Sequence, residues 1–199
     1  MYLLIKKKNK HIIEIGGGAV PHIDYMNKRQ IKTYTIVDSL FFKSKILSLN
    51  NKYKKINFYF INYKDLKSIS KRKKFTRLIA SHSFEHFQFF EKDFLKILKF
   101  LHKDAILSVA LPCDPGLTWR FLQYFSYLNQ KKVYSWENMR EKDLDDTRDH
   151  LTSVQNILKV INFYFKNVKK IFFPLILPII EFNIFLILQI KLSNFRKVN

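Results

Sequence analysis

Glycine is scarce in this chain, with 4 residues in 199. Three of them are adjacent: Gly16, Gly17 and Gly18. Glycine adopts positive φ without a steric cost and lets backbone approach a ligand closely, so this is where a tight turn or a bound group is expected. Cysteine is scarcer still. The single Cys113 excludes an internal disulfide and suits a reducing cytoplasm. Met1-Tyr2-Leu3-Leu4-Ile5 is too short for the apolar core of a signal peptide, so a cytoplasmic location is expected.

Acids are few as well, 16 against 36 Lys and Arg, for a net charge of +20. Such a balance points to nucleic acid or an anionic membrane when it is selected for a partner. Here only 7 of the basic residues are Arg and 29 are Lys, and Phe reaches 20. That skew reads as nucleotide composition of the source genome. The lysine clusters (Lys6 to Lys8, Lys54 and Lys55, Lys71 to Lys74, Lys131 and Lys132, Lys169 and Lys170) fall between apolar runs, where solvated loops and helix ends are expected. A hydrophobic content of 47% excludes disorder. The length suits one domain over residues 1–199 and leaves little room for a second.

The glycines sit in His11-Ile-Ile-Glu-Ile-Gly-Gly-Gly-Ala-Val-Pro21. Ile12 and Ile13 read as the end of a buried strand, with the Glu14 carboxylate at its mouth. A strand, a glycine turn and a helix start point backbone N–H groups at a ligand. A ligand that carries a ribose calls for an acid at the end of the next strand. Tyr34-Thr-Ile-Val-Asp38 is such a strand, and Asp38 follows Gly18 by twenty residues.

This arrangement resembles the cofactor site of the class I S-adenosylmethionine-dependent methyltransferases, whose pattern is an acid followed by three glycines at alternate positions. Glu14, Gly16 and Gly18 match, and Val20 stands where the third glycine would be. A dinucleotide fingerprint fits worse, because Pro21 replaces its last glycine. The resemblance implies S-adenosylmethionine as cofactor. It also implies a Rossmann-like, seven-stranded, mostly parallel sheet with an antiparallel C-terminal hairpin strand and helices on both faces. In that frame Gly16, Gly17 and Gly18 accommodate the methionine side of the donor, and Asp38 takes the ribose hydroxyls. Asn62, closing the third strand over residues 56–61, faces the adenine or is an ordinary turn asparagine. Glu14 orders the loop, with a role toward the donor's amino group also open. The first strand begins near residue 10, so little or no N-terminal cap is expected.

The fourth strand, Leu78-Ile79-Ala80, runs into Ser81-His82-Ser83-Phe84-Glu85-His86. This segment resembles the loop that passes beneath the methyl donor in the same family, which makes Ser81 and His82 candidate cofactor contacts and Glu85 and His86 structural. Arg77 stands where that family commonly has Asp. The His82/Glu85/His86 spacing also raises zinc, but no further cluster in the sequence completes a tetrahedral set, and no metal is expected. A helical stripe over 91–102 (Phe94, Leu95, Leu98, Leu101) precedes a fifth strand over 105–111. Strand and helix alternate five times, the signature of a parallel α/β sheet.

Residues 112–165 are read as the substrate side. Ligands of open α/β sheets bind beyond the carboxyl ends of strands, which places Asp114, Trp119 and Arg120 beside an acceptor. The competing structural roles are a helix cap for Asp114 and core packing for Trp119. Asp145-Asp-Thr-Arg-Asp-His150 is a second polar knot, before a helix over 151–165. His150, His82 and Asp114 are the candidate catalytic residues, with His150 as general base. The apolar stretch Ile171 to Ile190 has the length of a membrane span, but Pro174, Pro178, Glu181 and Asn183 interrupt it. It is read as a hairpin of 168–177 with 184–192.

The expected activity is therefore methyl transfer from S-adenosylmethionine to an oxygen or nitrogen of a small-molecule acceptor, such as a sugar or a lipid-linked precursor. An RNA acceptor is less favoured, since Ser81-His82-Ser83-Phe84 is not the Asn/Asp-Pro-Pro-aromatic motif of nucleic-acid enzymes. Other readings are a catalytically degenerate domain that binds the cofactor or a partner, a protein attached peripherally to membranes, and a nicotinamide oxidoreductase.

Overall fold

The structure is a computed structural model. It describes residues 10–196 other than 19–20, 41–42, 70–73, 115, 131–140, 142–143 and 145–147. The lysine clusters at 6–8, 71–73 and 131–132, Val20 and the acidic run at 145–147 lie outside the described residues.

Continuous apolar runs become the centre of a sheet. The strands are β1 (His11–Ile15), β2 (Thr33–Asp38), β3 (Asn57–Asn62), β4 (Phe75–Ser81), β5 (Leu101–Pro112), β6 (Val168–Phe173) and β7 (Phe185–Lys191). They form one seven-stranded sheet in the order β3-β2-β1-β4-β5-β7-β6. The first five are parallel, while β7 runs antiparallel between β5 and β6. Both faces of β1 are covered: Ile12 packs with Tyr34, Ile36 and Ile79 on one side, and Ile13 and Ile15 with Leu78, Phe84 and Leu107 on the other. Alternation along a strand sends successive side chains to opposite faces, and parallel strands covered twice read as unbroken hydrophobic sequence. The edge strand β6 turns Lys169 and Lys170 to water, which discourages pairing with another chain.

Four helices are described: α1 (Lys43–Lys52), α2 (Phe90–Leu98), α3 (Leu117–Gln130) and α4 (Val154–Tyr164). Phe90, Phe94, Ile97 and Leu98 of α2 lie on one stripe and are buried. Phe94 meets Phe84, Phe90 and Phe165 in an aromatic cluster. The Ser153 side chain caps α4 by accepting from the Asn156 N–H at 3.4 Å, while Val154, Ile157 and Ile161 face inward. In contrast, α3 leaves Phe121, Leu122, Tyr124, Phe125 and Leu128 exposed.

Two boundaries differ from the sequence reading. The helical stripe in the sequence extends to His102, yet α2 ends at Leu98 and β5 begins at Leu101. Leu101 satisfies both patterns, and the sheet takes it: it pairs with Phe75, and the register then shifts before Arg77 meets Ile106. Helix α4 starts at Val154 rather than Leu151, because Ser153 is the cap. The apolar stretch 171–190 is the expected hairpin, though shorter, and among the described residues no helix is long and apolar enough to cross a membrane. Its connection is organised by the buried Asn183, whose amide accepts from the Leu175 N–H at 3.0 Å and donates to the carbonyls of Leu177 and Ile179 at 2.8 and 2.7 Å.

Phe94 tests this account of the core. Phe94→Ala is expected to lower the free energy of unfolding by about 3–5 kcal/mol, and Phe121→Ala, on the exposed side of α3, to change it by no more than about 0.5 kcal/mol. Urea denaturation of both variants is the measurement; similar losses would contradict the assignment.

Candidate functional site

The chain runs outward from β1 to β3 and then returns to lay β4 on the other side of β1. Such a reversal is where a crevice is expected at the carboxyl ends of the strands. A cavity of about 540 Å³ lies there, its walls including Gly16, Asp38, Tyr63, His82, Ser83 and Phe87.

The glycine loop forms one wall. Gly16 has φ of +75° and donates its N–H to the Val37 carbonyl at 2.8 Å. A Cβ at Gly16 would stand 2.6 Å from the Ser83 Cβ, and one at Gly17 would stand 2.5 Å from the Glu14 carboxyl carbon. Both positions therefore require glycine. Gly18 donates its N–H to Asp38 Oδ2 at 2.9 Å, and Leu40 N–H donates to Oδ1 at 3.0 Å. Asp38, at the end of β2, thus ties the glycine loop to its own strand exit while remaining part of the cavity wall.

Glu14 is almost fully buried, at 1% exposure. It accepts from the His22 N–H at 3.2 and 3.3 Å, from His22 Nδ1 at 2.6 Å and from the Tyr34 hydroxyl. The hydrogen bond to Glu14 raises the His22 pKa, against the opposing effect of burial. Burial, reinforced by Glu14, holds the Tyr34 hydroxyl protonated well above its ordinary range. Both carboxylate oxygens are committed to the loop. Arg77, on the neighbouring strand, is buried too and donates to Ser108 Oγ at 2.8 Å; burial lowers its pKa to about 10.

Asn62 closes β3, where its side chain accepts from Lys64 N–H and donates to the Ser39 carbonyl, each at 3.0 Å. It ties one strand exit to the next and is not part of the cavity wall. Ser81 ends β4 opposite Ala110. His82 follows in the left-handed region at φ 49°, its ring edge-on to Phe185. Burial against that ring, then the neighbouring His150, His22 and His86, lowers its pKa. Ser83 Oγ is buried in the cavity wall without a hydrogen-bond partner.

A second cavity, of about 280 Å³, opens beyond β5 and is lined by Glu85, Leu111, Pro112, Asp114, His150 and Val154 among others. Asp114, read as a possible helix cap, instead accepts from His150 Nδ1 at 2.8 Å. Thr152 pins this segment to the turn after β4, donating its N–H to the Glu85 carbonyl at 2.9 Å and its hydroxyl to the Phe87 carbonyl at 2.6 Å. Trp119 packs edge-on to Phe185 with its indole N–H buried and unpartnered, and Arg120 is exposed; neither lines either cavity.

Glu85 and His86, expected to be structural, lie beside His150. The buried Glu85 carboxylate has no hydrogen bond of normal geometry, and burial raises its pKa. His86 and His150 meet edge-on at 5.3 Å. One ligand atom from each of Glu85, His86 and His150 lies within 4.8 Å of the others. The signal in sequence was a carboxylate set between Phe84 and Phe87; its partner His150 is adjacent only in the fold.

No family model matches the chain, and no curated protein matches it by sequence. Solved structures do match its fold. The CurJ carbon methyltransferase aligns with a TM-score of 0.62 at 14% identity, over 96% of this chain and 50% of that one, so the present chain spans half its length. The plantazolicin methyltransferase BpumL in complex with SAH gives 0.60 at 16% identity, over 94% and 77%. The N-methyltransferase NodS from Bradyrhizobium japonicum WM9, in complex with S-adenosyl-L-homocysteine, gives 0.53 at 11% over 92% and 77%. At such identities the likeness shows the fold.

The Glu14–His22 bond makes stability depend on pH. The folded-state pKa of His22 lies above its ordinary 6.5, so the extra stability from the charged ring is fully present below about 6.5 and is lost as pH rises through the raised value, the neutral ring still donating. Relative to a His22→Asn variant, the wild-type urea midpoint is expected to fall between about pH 6 and pH 9. Parallel pH profiles of the two proteins would contradict this.

Proposed function

We propose that this chain, which has the fold of the class I methyltransferases, transfers a methyl group from S-adenosylmethionine to an oxygen or nitrogen of a small-molecule acceptor. The observation behind this reading is the crevice at the β1/β4 reversal, where a glycine loop that admits no Cβ faces an acid at the end of β2. Its volume of about 540 Å³ is within the range of cofactor sites. The residues present fit the donor. Asp38 would accept from ribose hydroxyls, the backbone of Gly16 to Gly18 would lie against the methionine part, and the unpartnered Ser83 hydroxyl would find a polar atom there. Tyr63 and Phe87, with rings 5.1 Å apart, offer flat apolar surface to a base. BpumL and NodS, each crystallised with SAH, support the same donor.

When bound, S-adenosylmethionine supplies an already activated methyl group, so the protein's contribution is mostly to hold the acceptor in line. The segment 112–165 would do this from the second cavity. The Asp114 carboxylate accepts from His150 Nδ1, which fixes the tautomer and leaves the Nε2 lone pair available to an acceptor proton. The lysine-rich surface needs no polyanionic partner in this reading.

Calorimetric titration with S-adenosylmethionine and with its demethylated product tests it. Both are expected to bind with micromolar affinity, and Asp38→Ala is expected to weaken both at least about tenfold. No heat with either ligand, from protein shown to be folded by circular dichroism, would overturn the proposal and leave a degenerate domain.

A further inference from the structure

We propose that Glu85, His86 and His150 bind a divalent first-row metal ion of the zinc type, in the wall between the two cavities. Glu85 and His86 come from the short turn after β4, and His150 from the segment before α4; one ligand atom of each lies within 4.8 Å of the others.

The hydrogen bonds around the histidines set their tautomers. His86 Nδ1 is 2.9 Å from the Asp149 carbonyl oxygen, and His150 Nδ1 is 2.8 Å from Asp114 Oδ2. A carbonyl and a carboxylate only accept, so each Nδ1 carries a proton, and in the neutral ring each Nε2 keeps its lone pair. A metal-binding histidine shows this arrangement, its outer N–H donated to a carboxylate or a backbone carbonyl. Two histidines so prepared, with rings 5.3 Å apart, are more than a helix end or an acidic patch provides.

Glu85 supplies the third, independent observation. The residue is 3% exposed, and neither carboxylate oxygen has a hydrogen bond of normal geometry. The nearest cationic candidate is His82, whose Nδ1 stays 3.8 Å from Oε1, and a buried carboxylate so poorly partnered is costly unless it meets a cation or takes up a proton. Glu14, about as buried, differs in having three donor groups. Two imidazoles and one carboxylate favour zinc over the harder magnesium or calcium. Three protein ligands leave a coordination position open, and here it would face the cavity lined by Pro112, Asp114 and Val154.

The site rests on its own geometry; only its role depends on the methyl-transfer reading. In that role the open position takes an oxygen of the acceptor, which narrows the acceptor to one with a hydroxyl or carboxylate. The His150 lone pair then binds the ion rather than an acceptor proton.

The test uses untagged protein stripped with a chelator and titrated with Zn²⁺ in competition with a chromophoric chelator. The expected result is one ion per chain, with affinity reduced at least 100-fold in Glu85→Gln and in His150→Asn. Asp114→Asn, which alters only the outer partner of His150, is expected to weaken binding 10- to 100-fold. Substitution by Co²⁺ should give a visible absorption band that is lost in the same variants. S-adenosylmethionine titrations of the same samples serve as the folding control and separate the two proposals. Donor binding without stoichiometric zinc would overturn the metal site alone, whereas zinc binding without the donor would overturn the methyl-transfer reading alone. Zinc retained undiminished by Glu85→Gln and His150→Asn would also overturn the site.

Discussion

The reversal of strand order at β1 and β4 is the constraint from which the rest follows. Parallel strands end on one edge, so every loop leaving a carboxyl end is delivered to the same side of the molecule. Where the chain stops adding strands leftward and starts adding them rightward, two adjacent loops part and the edge opens. Gly16, Asp38 and Ser83 are separated in sequence, yet they share one cavity because each lies at or just beyond the end of one of three adjacent strands. The crevice is a property of topology before it is a property of any side chain.

Side chains then decide whether the crevice holds its shape. Glu14 sits one position before the last residue of β1 and takes hydrogen bonds from Tyr34 on β2 and from both the backbone and the ring of His22 beyond the loop. A charge placed there without partners would be expelled or neutralised; three donor groups keep it in place. Its carboxyl group in turn fills the space a Cβ at Gly17 would need, and Ser83 fills the space above Gly16. Glycine thus answers packing from opposite sides at Gly16 and Gly17, and φ as well at Gly16.

Much of this could be read from the sequence because it rests on local pattern. Largely apolar runs mark β1, β2 and β5, two prolines mark the break between β6 and β7, and Asp38 is marked by its distance from the glycines. Reading failed where one residue satisfied two patterns or where partners met only in space. Leu101 fits the stripe of α2 and also the start of β5, and only its pairing with Phe75 decides between them. Arg77 departs from the resembled pattern, and its burial against Ser108 follows from the packing of β4 on β5 rather than from any neighbour in sequence. Asp114 carried the composition of a helix cap, and its engagement with His150 depends on Thr152 docking to the turn at Glu85 and Phe87.

The two sides of the crevice also differ in how they are held. The side toward β2 rests on strand ends and a buried carboxylate, so its geometry is tied to the core. The side toward α4 rests on single hydrogen bonds from Thr152 and on the Asp114–His150 pair, beyond the last regular element of the parallel sheet. Contacts of that kind open at lower free energy than a core strand does. Loops also tolerate replacement where strand ends do not, so the two sides differ in how freely their residues can change. Gly16 and Asp38 are therefore held by the core of the sheet. Glu85, Asp114 and His150 are held by loop contacts, where the sheet exerts the least control.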